Sequence, residues 1–187
     1  ITVSEGNDYL LNITIVDDDI TVEQNVTIKV DVPLDAEGNV IIYVGSERHV
    51  APIIEHVATL SLNITSEGLY KVNATYSSAK YANKTVYSAF RASKTITPIN
   101  IEVNDSYVGN ITEVVVTIPT DADMNVTIEI DGVKYNSTSK DANVFTFEIT
   151  GLIAGNKTVT AIYAGDNKYL YNASTANFTV SKVKSSI

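Results

Sequence analysis

The sequence predicts an all-β chain made of two tandem sandwich domains, and three observations support this fold class. Apolar residues alternate with polar ones in short runs, which is the period of a half-buried strand. No segment shows a helical period. The order of residues in 68–94 recurs in 155–182, so that Phe90 and Phe178 lie 88 residues apart. A repeat of about 88 residues is large enough to fold around its own core.

Each repeat is predicted to contain seven short strands, a number typical of a β-sandwich. In the first repeat they lie near residues 13–16, 26–32, 40–44, 48–54, 59–64, 69–76 and 86–92. In the second they lie near residues 100–104, 113–118, 126–130, 133–137, 144–149, 157–164 and 175–181. The inward positions predict a core that includes Ile28, Val30, Leu62, Val72 and Phe90 in the first domain and Val116, Ile128, Phe147, Val159 and Phe178 in the second.

The repeat also sets the predicted domain boundaries. Residues 12–94 form the first domain and residues 95–187 the second. Residues 1–11 are interpreted as a linker and the tail of a preceding repeat, because residues 2–4 repeat residues 179–181, and further copies are therefore expected. Pro98 restricts itself and Thr97 to extended backbone, which predicts a stiff joint between the domains.

Composition excludes several classes of protein. The chain of 187 residues is 44% apolar and 19% charged, which is typical of a globular fold. It contains no Cys, so neither a disulfide framework nor a thiolate metal site can form. A net charge of −9, from 22 acidic and 13 basic residues, disfavours nucleic acid and anionic membranes as partners. No apolar run reaches the roughly 18 residues of a membrane span, so this segment is not expected to insert into a bilayer.

Asparagine is concentrated in Asn-x-Ser/Thr sequons, the acceptor motif for N-glycosylation. Twelve of the 17 Asn residues lie in a sequon, against about three or four expected by chance. Asn-x-Thr could also simply suit an outward strand face, although Asn is depleted in strands. We therefore expect glycans at several of the twelve sites, each predicted in a turn, at a strand edge or at an outward position: Asn12, Asn25, Asn63, Asn73, Asn83, Asn104, Asn110, Asn125, Asn136, Asn156, Asn172 and Asn177.

Acidic loops in both repeats suggest a metal site. They contain Asp17, Asp18 and Asp19 in the first repeat and Asp121, Asp123 and Asp166 in the second. In a sandwich topology the two groups would face each other across the joint, where they could supply oxygen ligands to Ca²⁺. The alternative is that they are solvated turns, in which Asp is common. Ca²⁺ at the joint is thus one of two interpretations, and no other cofactor is expected.

The segment 45–58 differs most between the repeats and holds both His residues. Acid–base chemistry is disfavoured because the second repeat has no His, and we expect no enzyme activity. The segment is instead a candidate contact patch formed by Arg48, His49, Glu55 and His56.

Two roles are predicted among the 11 Tyr residues, a structural tyrosine corner and exposed contacts. Tyr70 lies at the start of the sixth strand, where a tyrosine corner would hydrogen-bond to the preceding turn, whereas the second repeat has Lys157 there. Candidates for exposed contacts are Tyr9, Tyr43, Tyr107 and Tyr171.

The repeats also carry a family resemblance. The pattern Gly-x-Tyr-x-Val-x-Ala-x-Tyr at residues 68–76 is followed by a turn and a Tyr, and the second repeat closes with Phe-x-Val-Ser-Lys at 178–182. This resembles the bacterial immunoglobulin-like repeats of large cell-surface adhesins and is most similar to adhesin-like proteins of methanogenic archaea. The resemblance implies two tandem immunoglobulin-like β-sandwich domains, an extracellular location at the cell surface, and no shared catalytic residues.

Three roles are compatible with these features. The first is a non-catalytic stalk or spacer for cell-surface attachment, with other repeats of the same chain as its neighbours. The second is that the domains themselves bind a glycan or a surface protein of another cell, through loops and the segment 45–58. The third, an accessory module of a wall-active enzyme, requires a catalytic domain elsewhere in the gene.

Overall fold

The structure, a computed structural model, describes residues 8–185. The chain divides into two compact units, residues 1–94 and residues 95–187, called here the first and second domains. Every regular element of the described part is a β-strand, which confirms the all-β class. None of the described residues forms a helix long and apolar enough to cross a membrane.

The described part of the first domain, residues 8–94, contains eight strands. They are β1 (Asn12–Val16), β2 (Asp19–Thr21), β3 (Asn25–Asp31), β4 (Asn39–Val44), β5 (Glu47–Ile54), β6 (Val57–Asn63), β7 (Gly68–Tyr76) and β8 (Lys84–Ser93). One layer consists of β1, β3 and β6, paired antiparallel. The other consists of β5, β4, β7 and β8, with β2 added in parallel at the edge. Strand β5 joins the layers, because its first part pairs with β4 and its last residues, Ile53 and Ile54, pair with β6.

Between residues 95 and 185, the range that the structure describes, the second domain has eleven strands. They are β9 (Thr95–Ile96), β10 (Asn100–Val103), β11 (Ser106–Tyr107), β12 (Thr112–Thr117), β13 (Val126–Ile130), β14 (Val133–Asn136), β15 (Ser139–Asp141), β16 (Val144–Ile149), β17 (Gly155–Tyr163), β18 (Tyr169–Leu170) and β19 (Asn172–Ser181). One sheet has the order β10-β12-β16-β15, the other β11-β19-β17-β13-β14, and β9 pairs with β18. The segment equivalent to β5 is split here, because β14 pairs with β13 whereas β15 pairs with β16.

Each domain has its own buried core. Phe90 is 2% exposed and lies opposite Tyr70, and Phe178 is 4% exposed and lies opposite Lys157. The two Phe residues therefore occupy equivalent places, as the repeat predicts. Nine of the ten predicted core residues are buried, and the tenth, Leu62, is half-buried at the margin of the first core.

The predicted tail of a preceding repeat needs a correction. Leu11 is buried in the first core, and the Tyr9 hydroxyl donates to the Tyr76 carbonyl at 2.9 Å. Tyr9 and Leu11 therefore belong to the first domain, because their side chains pack there. Residues 1–7, the rest of the predicted tail, lie outside the described residues.

The alternation does not predict the five shortest strands, β2, β9, β11, β15 and β18. Each holds two or three residues, too few for a period to show. Three of the pairings that they make are parallel, β2 with β8, β11 with β19 and β9 with β18. These short strands extend the sheets at their edges or pair with one another.

Candidate functional site

In the first domain, side-chain hydrogen bonds among one Asp, one Lys and one Tyr connect two turns; this cluster is called here the clamp. Asp35 lies between β3 and β4, and its carboxylate accepts hydrogen bonds from the Lys80 ammonium and from the Tyr81 hydroxyl, the latter at 2.5 Å. Lys80 and Tyr81 lie between β7 and β8. The clamp thus ties together turns that are 45 residues apart in sequence.

The second domain repeats this clamp with Asp121, Lys168 and Tyr169. The Asp121 carboxylate accepts from the Lys168 ammonium and from the Tyr169 hydroxyl, the latter at 2.7 Å. The hydrogen bond from Lys168, followed by that from Tyr169, lowers the pKa of Asp121. Each carboxylate oxygen of Asp121, a predicted Ca²⁺ ligand, therefore already accepts a hydrogen bond from a side chain of the clamp.

Asp166 organises the turn after β17. One carboxylate oxygen accepts the backbone N–H groups of Lys168 and Tyr169 at 2.7 and 2.6 Å, and the other accepts the N–H of Asp123 at 2.9 Å and the Tyr163 hydroxyl. Burial raises the pKa of Asp166, but the hydrogen bonds from Tyr163 and the backbone outweigh burial and lower the pKa to about 2. The pKa of Tyr163 is raised, first by burial and then by its bond to Asp166.

In the first domain Ser78 takes the place of Asp166. Its hydroxyl oxygen accepts the N–H groups of Lys80 and Tyr81 at 3.2 and 3.0 Å. The backbone N–H of Ser78 donates to the Tyr81 carbonyl at 2.8 Å, as that of Asp166 donates to the Tyr169 carbonyl at 2.9 Å. One turn is therefore built with a neutral side chain and the other with an ionised one.

The predicted Ca²⁺ ligands of the first domain lie at the turn between β1 and β2. Asp17, Asp18 and Asp19 are exposed, and the Asp18 carbonyl accepts the N–H of Arg91 at 2.9 Å. Among residues 8–185, no group of three or more His, Cys, Asp or Glu side chains is placed to hold a metal ion. Ca²⁺ binding stays a prediction.

Strand β5 separates the four residues of the predicted contact patch. Arg48 is exposed on the outer face, whereas His49 lies on the opposite face and is half-buried. Glu55 and His56 form the exposed turn after β5, with φ angles of 47° and 61°. Arg48 and this turn are roughly 20 Å apart along the strand. The geometry therefore does not bring the four side chains together.

The sequons fall into two groups by exposure. Ten of the twelve Asn side chains are exposed, whereas Asn73 and Asn172 are half-buried. The Asn172 side chain donates from Nδ2 to the Thr97 carbonyl at 2.7 Å. Asn73 lies in register between Tyr43 and Tyr87. The exposed group is the better placed for modification.

Two exposed sequons lie side by side in β17 and β19. The Thr158 hydroxyl donates to Asn177 Oδ1 at 2.9 Å, and the Thr179 hydroxyl donates to Asn156 Oδ1 at 3.2 Å. These bonds use the Asn oxygens, and a glycan would be attached to the Asn nitrogens. Asn156 and Asn177 therefore present two possible glycosylation sites on one face of the second domain.

A row of four side chains crosses the outer face of the first domain. The register places Arg48 of β5, Tyr43 of β4, Asn73 of β7 and Tyr87 of β8 next to one another. Tyr87 is 76% exposed, and Tyr43 is half-buried. The equivalent row of the second domain consists of Lys134, Glu129, Thr160 and Thr175.

The tyrosine corner is confirmed in the first domain. The Tyr70 hydroxyl donates to the Ser66 carbonyl at 2.7 Å, and its ring stacks on Phe90 with centroids 5.0 Å apart. In the second domain Lys157 is 7% exposed, and its ammonium donates to Asp131 at 2.6 Å.

The four Tyr residues predicted as exposed contacts differ in environment. Tyr107 and Tyr171 are 54% and 63% exposed, and Tyr43 is half-buried. Tyr9 is held by its hydrogen bond to Tyr76, and burial, followed by Tyr76, raises the pKa of its hydroxyl. Tyr9 is therefore a structural residue of the first domain.

No protein-family model and no curated protein sequence matches the chain. Invasin, a bacterial integrin-binding protein, is 15% identical over 91% of this chain and 39% of its own, with a TM-score of 0.47. Titin domains I67–I69 are 15% identical over 92% of this chain and 65% of their own, with a TM-score of 0.40. Fibronectin(III)-like modules of Clostridium thermocellum CbhA are 14% identical over 91% of this chain and 95% of their own, with a TM-score of 0.39.

Similarity at these identities and scores says nothing about function. The strand order and the two separate cores define the class of protein: the chain is a tandem of two immunoglobulin-like β-sandwich domains. The likeness to methanogen proteins gains no support from the three structures and stays an expectation.

Proposed function

We propose that the two domains form a non-catalytic spacer segment of an extracellular, adhesin-like protein at the cell surface. The repetition of one structural unit supports this role. Both domains bury an equivalent Phe, and both tie their turns with the same Asp–Lys–Tyr clamp. A spacer needs folded length rather than one particular surface, so structural residues recur while surface residues change.

The short connection between the domains also supports a spacer. Strand β8 ends at Ser93 and β9 begins at Thr95, so Lys94 alone lies between paired strands. The buried Thr97 donates its hydroxyl to the Leu170 carbonyl at 2.8 Å, which anchors the start of the second domain. A connection without a long free linker suits a segment that transmits position or force.

Glycans on the exposed sequons are part of this proposal. Glycosylation suits the surface of an extracellular protein and adds bulk around a spacer. Mass spectrometry of the native protein should find glycans at exposed sites such as Asn156 and Asn177, and none at the half-buried Asn73 and Asn172. If none of the exposed sequons carried a glycan, this part of the proposal would be wrong.

Surface labelling and domain exchange test the spacer role. Antibodies against the two domains should label intact cells. Deletion of residues 12–182 from the parent chain should weaken attachment to a target that carries no acidic polysaccharide, and an unrelated pair of immunoglobulin-like domains should restore it, because only length is needed there. Failure of the unrelated pair would favour the second role, in which these domains bind the target themselves.

Ca²⁺ at the joint is also kept as a proposal. A bound ion would raise the melting temperature, because it binds the folded state and not the unfolded chain. Identical melting curves with Ca²⁺ and with a chelator would exclude it.

A further inference from the structure

We propose that the outer face of the first domain binds an anionic polysaccharide, a glycan that carries carboxylate groups. The binding face is defined by Tyr43, Arg48, Lys71, Asn73, Tyr87 and Arg91 on strands β4, β5, β7 and β8. This activity goes beyond the spacer role and does not depend on it.

The geometry suits an extended chain of sugar rings. Arg48, Tyr43, Asn73 and Tyr87 follow one another across four neighbouring strands. Adjacent strands are ~4.8 Å apart, so Tyr43 and Tyr87 are roughly 10 Å apart at the backbone. An aromatic ring offers an apolar face with a polar tip, which matches the apolar and hydroxyl-bearing surfaces of a sugar. The row is therefore a linear track with a Tyr on either side of an amide.

The charge of the binding face is opposite to that of the chain. The chain has a net charge of −9, yet both of its arginines, Arg48 and Arg91, lie here together with Lys71. Two described carboxylates lie near this face: Asp19 of β2 is opposite Arg91 at the sheet edge, and Glu47 of β5 lies on the other face of its strand, 3.7 Å from His49. A guanidinium forms paired, charge-assisted hydrogen bonds with a carboxylate. The complementary ligand is therefore an acid.

The centre of the face favours a glycan over a protein. Asn73 lies beside Thr75 and Thr85, whose hydroxyls are hydrogen-bonded to each other at 2.7 Å. Apolar side chains lie at the margins of the same face, Ile41 and Val50 at its β4–β5 side and Leu69 opposite Arg91. The buried centre of a protein interface is mostly apolar, whereas an amide and hydroxyls can both donate to and accept from sugar hydroxyls.

The second domain supplies a built-in control. Its equivalent row has no aromatic side chain, and Glu129 takes the place of Tyr43. Thr175 and Lys134 stand where the first domain has Tyr87 and Arg48. Binding should therefore belong to the first domain alone.

Isothermal titration calorimetry of the full chain with polygalacturonate tests the proposal, with methyl-esterified polygalacturonate as the uncharged form of the same polymer. The chain should bind the acid form, more weakly as salt rises, and should not bind the ester. Tyr87→Ala and Arg48→Gln should each weaken binding by at least about tenfold, the loss of one important contact. The matched variants Thr175→Ala and Lys134→Gln should bind like the natural chain.

Several results would overturn the proposal. They are absent binding, equal binding to the ester, unchanged affinity of Tyr87→Ala and Arg48→Gln with unchanged melting temperatures, or a native glycan on Asn73, which would cover the row. Self-association that is lost in Tyr87→Ala, measured by sedimentation, would assign the face to a second copy and also overturn it. None of these results bears on surface labelling, so the spacer role is tested separately.

Discussion

At the start of β7 the first domain carries Tyr70, and at the equivalent place in β17 the second carries Lys157; each is in register with the buried Phe of the next strand. Tyr70 stacks on Phe90 and donates its hydroxyl to a backbone carbonyl. Lys157 instead forms an ion pair with Asp131. Both side chains have a long apolar part and a polar end, so the position tolerates either when the polar end finds a partner.

The outer faces of the two domains differ more than their cores. Equivalent core positions hold Val72 and Val159, both buried. On the outer face, by contrast, Tyr87 of the first domain is replaced by Thr175 in the second. Burial restricts the core, whereas the outer face is free to acquire a separate function in each copy.

The strongest test of the equivalence is to remove the core Phe from one domain at a time. Phe90→Ala and Phe178→Ala should each cost about 3–5 kcal/mol, because each leaves a cavity and loses apolar burial. Calorimetry should show one destabilised transition and one unchanged transition in each variant. If either variant shifted both transitions, the domains would not fold as independent units.

Gly165 lies in the turn after β17 of the second domain, where both the backbone angle and the space around it exclude a larger residue. Gly165 has φ +87°, and an added Cβ would lie 2.8 Å from the backbone nitrogen of Tyr171, whereas Gly132 has φ +78° and open space around it. Gly165→Ala should cost about 2–4 kcal/mol, from strain and crowding together. Gly132→Ala, the control, should cost about 1–2 kcal/mol from backbone strain alone. Equal losses in chemical denaturation would contradict the crowding.

The difference between Tyr70 and Lys157 predicts unequal losses of stability when the polar contact of each side chain is removed. Asp131→Ala should cost about 1–3 kcal/mol, because it leaves a buried ammonium without its carboxylate. Lys157→Met removes the buried ammonium itself, so no unpaired charge is left in the core, and it should destabilise the domain less than Asp131→Ala does. Tyr70→Phe should cost about 0.5–1.5 kcal/mol, the loss of one hydrogen bond. An unchanged melting temperature in Asp131→Ala would show that Lys157 finds another partner.

The last expected effect concerns acid. The pKa of Asp166 is lowered to about 2 in the folded state, against about 3.9 in an unfolded chain. Its contribution to stability is therefore full above about pH 4 and is lost as the pH falls towards 2. Asp166→Ser, which copies Ser78 of the first domain, should destabilise the second domain at pH 7 and have little effect at pH 2. A loss that is independent of pH would contradict the role of the charge.

The sequence by itself determined the class of fold, the repeat and nine of the ten core residues that it named. Alternation is a local property, and it shows which side chains of a strand such as β3 face inward. The repeat added the equivalence of Phe90 and Phe178. The matching positions of Asp35 with Asp121 and of Lys80 with Lys168 also held the signal for the clamps, which the prediction missed.

Only the tertiary structure decided which strands lie next to each other and in which register. Alternation says that Tyr43, Asn73 and Tyr87 face outward, but their placement in one row depends on pairing between distant segments. The same holds for β5, which pairs with both layers, and for Asp121, whose partners lie 47 and 48 residues away. Side chains that meet through strand pairing leave no periodic signal along the chain, because their separation in sequence is set by the intervening loops.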